Sequence, residues 1–133
     1  MKYITIGSNS HVEIHDSTKP LDLNDRQAIV GGNIEFVALK GEVGYYINEE
    51  GKIDGLPRND LATAYWELCL SQAYGDKFSG LHDYISGPAI IEGTDDEDED
   101  GDSRSLTDEE VNHFTDFVNE WFETKKRRED VSI

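Results

Sequence analysis

The chain has 133 residues, 36% of them hydrophobic, enough for one domain with a modest core. Twenty-nine Asp and Glu against twelve Lys and Arg give a net charge of −17, which argues against direct binding to nucleic acid or an anionic membrane, since phosphates would be repelled. The one cysteine, Cys69, excludes an internal disulfide, and its neighbours Trp66, Leu68 and Leu70 point to a buried, inert thiol.

The opening MKYITIGSN lacks the apolar run of a signal peptide, and no segment approaches membrane-spanning length, so a cytoplasmic protein is expected. The charge is uneven. Residues 1–91 carry seven bases and thirteen acids, residues 92–124 one base and fourteen acids, and residues 125–133 four bases and two acids. A basic protein partner, including one that itself binds DNA, fits this balance.

Lys2 to Ile6 alternates, Gly7-Ser8-Asn9-Ser10 is a turn cluster, and His11 to His15 alternates again, which predicts a hairpin. Its wet face carries His11, Glu13 and His15. Residues four apart on a strand lie ~13 Å apart, too far for both imidazoles to hold one zinc, so a polar strand face is the reading. After a linker at Ser17 to Pro20, a short helix is expected over Leu21 to Val30, capped by Asp22 or Asn24. Leu23, Ala28, Ile29 and Val30 would turn inward, and Gly31-Gly32 would end the helix.

Asn33 to Lys40 is expected as a strand that is apolar on both faces and therefore central, with Glu35 as the exception. Val43 to Ile47 returns as its hairpin partner. Asn48 to Lys52 is a turn in which Gly51 would supply a positive φ, and Pro57 stops further pairing.

The motifs V-G-G-x-I-E-x-V at Val30 to Val37, I-N-E-E-G-K at Ile47 to Lys52 and L-P-x-N at Leu56 to Asn59, followed by Ala62-Thr63, make residues 28–92 resemble a family known as domain of unknown function 3846. Ser86 to Ile91 resembles its closing strand. The resemblance implies a compact α+β module from bacteriophages, mobile elements or their hosts, and brings no catalytic residues. Tyr65 to Tyr84 and everything after Gly93 read as departures from that pattern.

Asn59 or Asp60 can cap a helix over Leu61 to about Tyr74, with an apolar arc wide enough to meet the sheet and another helix. A final core strand follows Gly87-Pro88. The expected fold is α+β in the order ββαββαβ over residues 1–92, then an acidic linker over 93–106 and a helix over 107–128.

Glu92 to Asp102 holds eight carboxylates in eleven residues, too charged to pack. Asp96, Asp98 and Asp100 before Gly101 copy the first half of a calcium loop, but Ser103 and Thr107 stand where an apolar residue and a bidentate glutamate belong, so no metal site is assigned. Thr107 and Glu110 form a capping box. Behind it Val111, Phe114, Phe117, Val118, Trp121 and Phe122 make an apolar stripe, and Lys125 to Arg128 suit the helix's end. The stripe is a core face, a docking face for a partner through Phe117, Trp121 and Phe122, or a homodimer contact.

For catalysis the residues offer no phosphate-binding loop, no cysteine with a base beside it and no zinc spacing; no cofactor is implied. The expected function is non-catalytic: a phage or mobile-element protein that binds and inhibits a basic host protein, such as a nuclease or another DNA-binding protein. The binding surface would be acidic and spaced like DNA phosphates. It would use Asp95, Asp96, Glu97, Asp98, Glu99, Asp100 and Asp102 together with Asp108, Glu109, Asp116 and Glu120. The alternative is a small-ligand or nucleotide sponge that stacks a base on Tyr45, Tyr46, Tyr65 or Trp66.

Overall fold

The computed structural model describes residues 1–94 and 103–131, with side chains as far as residue 127. Among the described residues ten elements build an α+β sandwich. Five strands, β1 (Lys2–Ile6), β2 (Val12–Asp16), β3 (Ile34–Lys40), β4 (Val43–Asn48) and β5 (Ala89–Thr94), lie in the order β2-β1-β5-β4-β3, and β6 (Ser103–Arg104) adds to β5. Every pairing is antiparallel. Helices α1 (Leu23–Val30), α2 (Asp60–Tyr74) and α3 (Asp108–Val131), with a 3-10 turn at Gly75–Lys77, complete the fold.

The strand registers sort the core into two layers. Ile4, Ile6, Tyr45, Ile47, Ala89 and Ile91 share one face, because each pairs directly with another of the set. They meet Leu61, Ala62, Tyr65 and Cys69 of α2 and Phe114 of α3. Tyr46 and Ile90 lie on the other face with Val30 of α1. Helix α1 is capped at Asp22, whose carboxylate accepts from the Asp25 amide, and it stops at Gly31 in the left-handed region at φ 82°. The apolar contact of α1 with the sheet is made by its C-terminal end. Leu23 and Ala28, expected inside, are exposed, while Ile29 and Val30 supply its apolar contact.

Two further expectations are corrected. Strand β3 stands at the sheet edge, not in its middle. Its apolar faces reflect the packing of α1 on one side and α2 on the other, which says nothing about hydrogen-bonded neighbours. Gly51 is required for closeness instead of a positive φ: a β-carbon there would stand 2.6 Å from the Ser86 carbonyl oxygen. The sheet also enters the expected acidic linker from both ends, since β5 runs to Thr94 and Ser103 pairs with it.

Asn59 joins these layers. Its side-chain oxygen accepts from the Ala62 amide and caps α2, while its Nδ2 donates to the carbonyls of Ile6 and Gly87, both at 3.0 Å. The residue is fully buried. Asn59→Asp keeps the capping oxygen but sets a carboxylate against two carbonyls. Asn59→Ala loses the cap and orphans both. Each is expected to cost about 3 kcal/mol in urea denaturation. A wild-type midpoint for Asn59→Asp would show that capping alone matters.

A second buried link joins α1 to β5. The Arg26 guanidinium donates twice to the Glu92 carboxylate, at 2.8 and 2.9 Å, and also to the Ser103 hydroxyl. It stacks over Tyr46 at 4.4 Å. Glu92, the first acid of the charged run, is therefore a core residue, only 3% exposed. Glu92→Gln is expected to destabilise the fold by about 3 kcal/mol, because the Arg26 charge stays buried without its counter-ion.

Candidate functional site

Helix α3 begins from a rigid anchor. The Thr107 hydroxyl accepts from the Glu110 amide at 3.1 Å, and the Glu110 carboxylate accepts from the Thr107 amide at 2.9 Å, the expected capping box. Arg104 holds the same carboxylate with two bonds of 2.8 Å, which keeps Glu110 below the usual carboxylate range. Leu106 is buried and its amide donates to the Lys2 carbonyl. These bonds fix how α3 can rotate against the module.

That rotation separates two faces. Phe114 is buried and meets Tyr65 edge-on, with ring centroids 4.8 Å apart. Val111, Phe117, Val118 and Trp121 pack half-buried around the same core. Phe122 is 44% exposed, so of the three aromatics expected to dock a partner it is the one turned to solvent. On the other side, a turn of 3.6 residues puts Asp108, Glu109, Asn112, Asp116, Asn119, Glu120 and Glu123 within one arc of about 120°. All seven are exposed.

The arc runs ~23 Å along the axis, at 1.5 Å per residue. Its five carboxylates are spaced about 5.6 Å apart on average along the axis, against ~3.4 Å for phosphates along one DNA strand. Asp108 is partly answered by Lys2, 2.6 Å away, which lowers its pKa. Glu109, Asp116, Glu120 and Glu123 make no ion pair with a described side chain. Asp95 to Asp102, including the calcium-like Asp96, Asp98 and Asp100, lie outside the described residues. Ser103 and Thr107 at the end of that pattern are engaged in the Glu92 bond and the helix cap.

The remaining candidates fall elsewhere. Glu13 stands between His11 and His15, at 3.3 and 3.5 Å, and His15 stacks on Tyr3. Among the described residues no group of three or more His, Cys, Asp or Glu is placed to hold a metal. Of the four aromatics considered for stacking a base, Tyr45, Tyr46 and Tyr65 are buried, and Trp66 is half-buried beside a cleft of about 450 Å³. Burial pushes the Cys69 thiol up to about 11, far from a reactive thiolate. No helix among the described residues is long and apolar enough to cross a membrane.

A family model, described as domain of unknown function DUF3846, matches residues 1–119. The chain belongs to the DUF3846 family. No curated protein and no solved structure shows significant similarity to it. The match reaches well past residues 28–92. It takes in Tyr65 to Tyr84 and the first half of α3, as far as Asn119.

One polar chain, missed in the sequence, seats α3 on α2. The Gln72 side-chain oxygen accepts from Lys40 Nζ and from His113 Nε2, both at 3.1 Å. His113 Nδ1 is then the acceptor for the Tyr65 hydroxyl at 2.8 Å. This wiring needs a neutral imidazole, and burial together with the Lys40 charge lowers the His113 pKa. A His whose folded pKa lies below its unfolded value binds its proton more readily when unfolded. Stability is therefore full above the unfolded value of about 6.5 and falls as pH drops through it toward the folded value. Melting temperature measured from pH 8 to 5.5 is expected to decline less in His113→Gln than in wild type.

Proposed function

We propose that this DUF3846 protein is a non-catalytic binding protein, of phage or mobile-element type, that holds and blocks a basic host protein across the acidic face of α3. The observation that carries the reading is the division of α3. Phe114, Phe117 and Trp121 are committed to the core, and the opposite face presents five carboxylates in one exposed arc. A surface of that sign steers and retains a cationic partner while it repels nucleic acid. The partner class that fits is a protein whose own groove is basic because it binds DNA, such as a nuclease. The acids of residues 95–102 would add to the same field.

The test compares wild type with a variant carrying Glu109→Gln, Asp116→Asn, Glu120→Gln and Glu123→Gln, none of which touches the core. Affinity capture from host lysate is expected to retain a DNA-binding protein on wild type, released by high salt and displaced by duplex DNA. The variant is expected to bind that protein at least about tenfold more weakly. Equal capture by both, insensitive to salt, would remove the α3 face from the function.

A further inference from the structure

Strand β3 ends the sheet, and nothing among the described residues pairs with its outer edge. The Asn33 carbonyl accepts from the Glu49 amide at 2.8 Å. Alternation along an antiparallel ladder then turns the backbone groups of Glu35 and Val37 toward β4, and those of Ile34, Phe36 and Ala38 off the edge. A bulge between Ala38 and Lys40 breaks the pattern there, so the usable edge is Ile34 to Ala38.

The cleft of about 450 Å³ lies along this edge. Phe36 borders it from the strand, and Val37, Ile47, Trp66 and Ile85 give it an apolar lining. Glu35 and Glu49 stand on its margin, exposed and without an ion pair to any described side chain. The neighbouring cation, Lys52, is engaged by Asp83 and lies over the Tyr84 ring at 4.6 Å. An open strand edge, an apolar trough and a negative margin thus coincide.

We propose that the β3 edge accepts an extended, basic segment of a protein partner as an added strand. The segment's amides and carbonyls would pair with Ile34, Phe36 and Ala38. Because strand side chains alternate, every second residue would enter the trough beside Trp66. Of those, an apolar residue would fill the trough, and lysine or arginine two positions away on the same face would meet Glu35 and Glu49, which share that face with Val37 and Ile47. This contact uses different residues from the α3 face and stands or falls separately from it.

The full chain, labelled with nitrogen-15, is titrated with a capped peptide in which lysines stand two residues to either side of a central phenylalanine, with valine at the positions between. The expected result is saturable shifts at Ile34, Phe36 and Ala38 and slowed exchange of their amides. The same peptide with its strand-pairing nitrogens methylated, or with glutamate for lysine, is expected to produce neither. Glu35→Lys with Glu49→Lys should weaken binding about five- to tenfold. Shifts confined to α3, or equal binding of the methylated peptide, would overturn the proposal by showing charge attraction without strand addition. Protection of the same amides by protein concentration alone would overturn it in favour of a second copy at that edge.

Discussion

The architecture hangs on a side-chain amide in the core. Asn59 reads three chain segments at once: the end of β1 through Ile6, the approach to β5 through Gly87, and the first turn of α2 through Ala62. Its backbone is used as fully. The Asn59 amide donates to Ile85, its carbonyl accepts from the Thr63 hydroxyl, and that hydroxyl accepts from the Ile85 amide. A buried polar group is costly unless its bonds are complete, so this network tolerates little displacement of any member. Helix α2 is placed by it, and α3 is placed by α2.

What the sequence disclosed follows from how local each signal is. The Asp22 and Asn59 caps, the Thr107–Glu110 box and the two faces of α3 were readable because each depends on residues within a turn or two. The acceptors of the Asn59 amide group were not, since Ile6 and Gly87 stand 53 and 28 residues away. Strand β3 misled for a similar reason. Hydrophobicity reports what lies above and below a strand, and an edge covered by helices on both faces looks central. Gly51 belongs to the same class, for its need is the distant Ser86 carbonyl.

Charge counting had its own blind spot. Glu92 belongs to the acidic run by composition, yet it shares the inward face with Tyr46 and Ile90 and pairs with Arg26. Likewise Glu110 is committed to Arg104 and its own helix cap. The acids left for a partner are those on the outer arc of α3, a set that periodicity orders but composition cannot separate. The polar chain from Lys40 to Tyr65 was equally hidden, because Gln72 and His113 come together only when α3 folds back.

The pairing of Thr94 with Ser103 has a consequence for how this protein can change. Thr94 and Ser103 stand opposite each other in the sheet, with eight residues between them in the sequence. The cost of joining two such fixed ends grows only with the logarithm of the length of the segment between them. Its number of acids can therefore drift without disturbing the Arg26–Glu92 link on one side or the Arg104–Glu110 clamp on the other. Stability and total charge are in this sense separately heritable.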